Sequence, residues 1–286
     1  LMDPLGFALE NYDAVGRLNG LTYPSGQSLV FGRDGYGRLA SVSVGGATLA
    51  DSFLYQPATD RRYAWRWGNG RVRMATLDTD GRVEQLSSPG VHGLSFGYTA
   101  NLDTIASITD LVYPTQSTSF GYDRNHRLAT VSKFNDNQSF DWDQTGNRTN
   151  HSRNASNYAY AYGAGTNQLG SISGASSIGF TYGDGAGNLT NSSTESFGYD
   201  AFFRMASYTV SGTLAGQYGS NAFNQRAYKV AAGSTKRFVY GPAGELLYED
   251  GPTPTSYVWV GGELLGFLRG GAFYASHNDH LGRPEV

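Results

Sequence analysis

The chain of 286 residues contains no cysteine. That removes disulfides, thiolate nucleophiles and cysteine-based metal sites together. Charge is also scarce: Asp, Glu, Lys and Arg make up 16% of residues, against the roughly 25% usual for soluble domains. The formal net charge of −3 gives no electrostatic reason to expect nucleic acid or an anionic membrane surface as a partner. No window holds the ~18 apolar residues that a spanning helix needs. The start, Leu1-Met2-Asp3-Pro4, lacks the basic and apolar regions of a signal peptide. No segment sustains a 3.6-residue apolar period with caps, so helices should be minor.

What the chain has instead is 39 Gly, 20 Tyr and 15 Phe, with many Thr, Ser and Val. These suit short strands joined by tight turns. They also recur in order. Tyr12-Asp13-Ala14-Val15-Gly16-Arg17-Leu18, Tyr122-Asp123-Arg124-Asn125-His126-Arg127-Leu128 and Tyr199-Asp200-Ala201-Phe202-Phe203-Arg204 are versions of one unit. Anchoring copies on the residue equivalent to Arg127 gives Arg17, Arg38, Arg62, Arg82, Thr104, Arg127, Arg148, Gln168, Asn188, Arg204, Arg226, Glu245 and Glu263, a period of about 20 residues. Around Arg38 the aromatic is displaced to Phe31, and around Arg82 it is missing.

Each copy reads as a hairpin. An Asp closes an Asx turn, and Gly or Asn supplies the positive φ of the loop. The flanks alternate as strands do, for example Leu128-Ala129-Thr130-Val131-Ser132-Lys133-Phe134. A lone hairpin is marginal in water, so copies must pair serially. The expectation is an all-β protein: serial β-hairpin repeats in one long antiparallel sheet that curls into a hollow shell or part of one. Repeats should fill 1–250, and 251–286 should continue the same sheet with a changed character, around Trp259 and then His277, Asp279, His280, Leu281, Gly282 and Pro284.

Possible sites have competing readings. His277, Asp279 and His280 are the candidates for a metal or a general base, or for a turn locked by side-chain hydrogen bonds. The repeated Asp13, Asp34, Asp80, Asp123, Asp143, Asp184 and Asp200 could line a calcium array, but the nine-residue Gly-rich repeat of such binders is absent, which favours turn capping. The Arg anchors could bind phosphate or sulfated sugar, and the Tyr row could stack sugars; packing between copies competes with both. His92, His126 and His151, scattered singly, read as surface or turn positions. Gly183-Asp184-Gly185-Ala186-Gly187 has no following helix pattern, so it is a turn rather than a nucleotide loop. No catalytic constellation stands out, no cofactor is implied, and the chain is expected not to be an enzyme.

The Tyr-Asp-x-x-x-Arg-Leu copies resemble the YD repeat of the RHS/YD-repeat family, which includes bacterial Rhs toxins, the BC subunits of Tc toxins, and teneurins. The segment from Trp259 through His277-Asn278-Asp279-His280-Leu281-Gly282-Arg283-Pro284 resembles the start of the RHS-associated core. The resemblance implies a hairpin shell enclosing a C-terminal toxic domain, delivered by a secretion system such as type VI or by a carrier protein. It also implies an autoproteolytic Asp segment downstream of Val286, with no counterpart here. A carbohydrate- or cell-surface-binding repeat module is the alternative.

Overall fold

The computed structural model describes residues 9–183 and 185–285. Asp184, the Leu1–Pro4 start and Val286, all read above, lie outside the described residues. The described chain is one antiparallel sheet of 27 strands, from Leu9–Tyr12 to Ala272–Ala275, with a single 3-10 turn at Pro114–Gln116.

The strands come in pairs whose register is set by the turn. In the hairpin of Thr118–Tyr122 and Leu128–Lys133, Phe120 lies opposite Val131 and Gly121 opposite Thr130, and the register then slips so that Tyr122 faces Leu128. The same slip precedes Trp142, Tyr162, Tyr182, Tyr199 and Tyr240. A bulge of this kind adds one residue to one strand and re-aims its side chain. Here it delivers an aromatic beside each turn.

Every strand bonds to its sequence neighbours, and among the described residues no pairing joins the last strand back to the first. The expected hollow shell is therefore corrected: among the described residues the sheet is open, with no hydrogen-bonded closure between its ends. Closure by hydrogen bonding needs the terminal strands in register, and in this chain the apolar faces find burial by another route.

That route lies in the first of two compact units, Leu1–Ser95 with Lys236–Val286. Its N-terminal and C-terminal strands stack through a common core. Leu21, Tyr23, Leu29, Phe31, Val42, Trp65 and Trp67 pack with Val239, Leu247, Val258, Val260, Leu265 and Leu268. Polar contacts cross the core as well: Tyr23 Oη donates to the Tyr257 carbonyl at 2.6 Å, and Arg62 Nη2 to the Val260 carbonyl at 2.6 Å. Burial pushes the Tyr23 hydroxyl well above the usual phenol range. The second unit, Phe96–Thr235, is built differently. Its only buried described residues are Phe96, Ser192 and Gly216, so it is a single layer. Rings on one strand stack on those of the next, as in Phe140–His151–Tyr158 with centroids 4.8 and 5.6 Å apart.

Candidate functional site

The repeated turn is the unit from which everything else is assembled. In the Asp123 copy, one carboxylate oxygen accepts the backbone N–H of Asn125 at 2.8 Å and of Arg127 at 2.9 Å. The other oxygen accepts Arg127 Nε at 2.7 Å. Asp13–Arg17, Asp34–Arg38, Asp78–Arg82 and Asp200–Arg204 repeat this pattern. The backbone N–H of Arg127, with Arg127's side chain and the Asn125 N–H, holds the Asp123 carboxyl below its usual range. At Asp143, desolvation raises the carboxyl, and the donors of Asn147 and Thr145 outweigh it and bring it to about 2.

Two sequence assignments shift on this geometry. At the Arg82 turn the capping carboxylate belongs to Asp78, whereas Asp80 donates its N–H to Asp78 and pairs with the Arg82 guanidinium. The anchors read as Arg62, Arg148 and Arg226 are off by one: the turns close on Arg61, Asn147 and Gln225. The arginines at 62, 148 and 226 stand instead where Leu128 stands, opposite Tyr55, Trp142 and Ser220.

Copies are fastened to each other by a two-way latch. In the latched copies the side chain just before the turn reaches back to the carbonyl of the residue following the previous anchor. Tyr122 Oη donates to Ile105, Trp142 Nε1 to Leu128, Tyr162 Oη to Arg148, Tyr182 Oη to Leu169, Tyr199 Oη to Leu189 and Trp259 Nε1 to Leu246, at 2.7–3.1 Å. In the opposite direction, Arg127 Nη1 donates to the Asp143 carbonyl at 2.7 Å and Arg204 Nη1 to that of Asn221 at 3.0 Å. Arg127 also lies over the Trp142 ring, 5.8 Å from its centroid. Tyr12, in the first described copy, is half exposed and bonds Glu10 instead. The copy before Arg38 has Arg33 in the aromatic's place, and its Nη2 donates to the Leu18 carbonyl at 2.5 Å.

The C-terminal motif contains the same turn. Asp279 accepts the N–H of Leu281 at 2.9 Å and of Arg283 at 2.8 Å, and Gly282 takes a φ of +80°. Pro284 forms a bridge with Asn278, whose amide is buried. His277 is buried edge-on against Trp67 and lies 5.9 Å from His92. Burial, then the neighbouring His92 and Arg73, lowers its imidazole to about 4. His92, read from sequence as a surface position, is buried here, with Nε2 3.2 Å from Glu285. Leu281 is exposed, and His280 turns away to line a cavity. Among the described residues, no group of three or more His, Asp or Glu side chains is placed to hold a metal.

That cavity, of about 520 Å³, lies wholly within the first unit and is lined by Tyr55, Arg61, Arg62, Trp65, Arg73 and Glu263 among others. Arg73 was not foreseen. In Val72-Arg73-Met74 the apolar residues face solvent and the arginine is buried, the reverse of what hydropathy alternation suggests. Burial lowers its pKa, with Glu263 opposing the shift.

The hairpin unit, its bulge and its latch define a class, an antiparallel sheet of serial hairpin repeats, and solved structures share that fold. The chain is similar to a component of the Tc holotoxin pore of Photorhabdus luminescens, with a TM-score of 0.68 and 13% identity over 98% of this chain. A TcdB2–TccC3 structure gives 0.68 at 14% identity, and one without the hypervariable C-terminal region gives 0.65 at 13%. The fold is therefore that of Tc-toxin components, in line with the YD-repeat resemblance. The chain spans about a sixth of the length of these chains, 17% in each case. No family model and no curated protein sequence matches it. Among the described residues, no helix is long and apolar enough to cross a membrane.

Proposed function

We propose that this chain is a section of repeat wall in a toxin-carrying protein, whose work is to hold and help deliver a toxic domain rather than to catalyse a reaction. The observation that carries the reading is the fold shared with Tc-toxin components over 98% of the chain. The latch supports it. Latched hairpins donate back to the previous copy, and at Arg127 and Arg204 forward to the next, so the wall extends copy by copy. The second unit adds to this, since a single layer with half-buried aromatic ladders suits a wall better than a free-standing enzyme domain. The partner in this reading is a toxic segment carried by the same polypeptide, moved out of the producing cell with a secretion or carrier protein.

The test is limited proteolysis of the full-length parent polypeptide. The toxic segment should resist cleavage in the intact protein and become sensitive when latches are removed by Trp142→Ala with Arg127→Ala. A segment cut as fast in the intact parent as in isolation would refute a holding role.

A further inference from the structure

The C-terminal motif is fastened to the first unit where two imidazoles are buried against each other. His92 begins the strand His92–Tyr98, and His277 follows the strand Ala272–Ala275. They are 4% and 5% exposed, with ring centroids 5.9 Å apart, and His277 also lies edge-on to Trp67 at 5.8 Å. A carboxylate can only accept, so His92 Nε2 donates to Glu285 Oε2 at 3.2 Å. The Glu285 backbone N–H in turn donates to the His277 carbonyl at 2.9 Å. One glutamate thus ties the two histidines together.

The surroundings disfavour a proton on His277. Its Nδ1 is buried without a hydrogen-bond partner, so the charged ring, which donates from both nitrogens, leaves a buried N–H unmet. Arg73, from the strand Val72–Leu77, and Arg71, from the turn before it, face the ring with positive charge. Arg71 is fixed there by the Pro89 carbonyl at 3.1 Å. The carboxylate of Glu285 is engaged by His92, and Asp279 is turned to the N–H groups of Leu281 and Arg283. Burial, then His92, Arg73 and Arg71, lowers the His277 imidazole from 6.5 to about 4. The segment 276–285 contributes no strand to the sheet, and its one bridge, Asn278 with Pro284, is internal. It can therefore open while the strands beside it stay paired.

We propose that His277, His92 and Glu285 form an acid-opened clasp, which holds the segment 276–285 on the first unit and releases it when His277 takes up a proton. The open segment exposes His277 to water, where it binds a proton below pH 6.5, whereas the closed clasp refuses one until about pH 4. The closed form is favoured in full above pH 6.5 and loses that advantage as pH falls toward 4. With those two values the opening equilibrium rises about 20-fold from pH 7 to pH 5.

The experiment is amide hydrogen exchange of the folded chain, followed by mass spectrometry at pH 7 and pH 5 and corrected for intrinsic exchange rates. In the unsubstituted chain, opening of 276–285 should rise about 20-fold with acid, while the strands Thr255–Val260 and Glu263–Arg269 hold their protection. His277→Phe keeps a ring against Trp67 and cannot take a proton, so its opening should stay nearly level. Glu285→Gln acts at a side chain that is 41% exposed, so it spares the fold and weakens the tie to His92. That variant should open several-fold more at pH 7 and still respond to acid. No acid response in the unsubstituted chain, an equal response in His277→Phe, parent-like exchange in Glu285→Gln at pH 7, or opening of both strands together with the segment would each overturn the proposal.

Discussion

The latch between the Asp123 and Asp143 copies offers the sharpest test of how this sheet holds together. Trp142→Phe preserves an aromatic face for the Arg127 guanidinium and deletes the 2.8 Å bond to the Leu128 carbonyl. One neutral hydrogen bond contributes about 1 kcal/mol, which is roughly a fivefold change in an opening equilibrium. Arg127→Met removes the return contact to the Asp143 carbonyl and the contact over the ring. Because both contacts span the same two copies, the double variant should lose less than the sum, with a coupling of about 0.5–1 kcal/mol. Native-state hydrogen exchange is the appropriate assay, since serial repeats need not unfold as one unit. Protection should fall in strands Leu128–Lys133 and Arg148–Arg153 and hold in the first unit, whose stability comes from its core. Strict additivity, or an equal loss of protection throughout the chain, would refute the latch.

Two further outcomes follow from local geometry. Phe203 is exposed yet holds a φ of +60°, which costs a non-glycine residue about 1–2 kcal/mol. Phe203→Gly should therefore stabilise its hairpin by roughly 0.5–1 kcal/mol after the entropy cost of glycine. Gly146→Ala, where a methyl group meets nothing yet φ is +89°, should destabilise its hairpin by about 1 kcal/mol; both shifts are readable by exchange, and the opposite sign in either would count against the turn assignment. His277 supplies a pH response. Its imidazole is lowered from 6.5 to about 4, so between those values the unfolded chain takes up a proton that the folded chain refuses. The stability it contributes is present above pH 6.5 and is lost as pH falls toward 4. His277→Gln should flatten urea-denaturation stability over that window, and a slope unchanged from the parent would refute the burial argument.

Strands and turns were legible because their causes are local. An Asp four residues before a backbone N–H that it can cap, with glycine or asparagine between them, writes the hairpin into a short window. The exact anchor was less legible. Arginine stands at the turn position in Arg17, Arg38, Arg127 and Arg204, and one residue later at 62, 148 and 226, where it pairs across the hairpin. Period alone cannot separate two adjacent slots that both favour arginine. Closure was not legible at all, because it depends on whether distant strands meet edge to edge or face to face. Trp67 contacting Phe273, and Tyr23 donating to Tyr257, are contacts that no repeat count predicts. The burial of Arg73 belongs to the same category. Its strand alternates correctly, and only the packing of the first unit decides which face turns inward.

The latch also changes what defines a repeat. Sequence reading took the aromatic as the mark of a copy and scored copies without it as degenerate. In the copies that are latched, the geometry asks for a donor long enough to reach the carbonyl after the previous anchor, while Leu77 and Ser220 occupy the same slot without one. Tyrosine and tryptophan satisfy it in most copies, and Arg33 satisfies it at Leu18. Asn278 satisfies it in the C-terminal motif: its Nδ2 donates to the Leu264 carbonyl at 2.7 Å, one residue past the Glu263 anchor. A buried amide must also satisfy its oxygen, and Ser276 Oγ does so at 2.6 Å. The segment His277–Pro284, for which the sequence favoured a turn locked by side-chain hydrogen bonds over a metal or general-base site, is built on the same turn as Tyr122–Leu128, with a compact buried donor in place of the ring. Asn278→Asp keeps the size and removes the donor. It should loosen this last copy while leaving the hairpin at Asp123 untouched, a separation that exchange measurements can resolve.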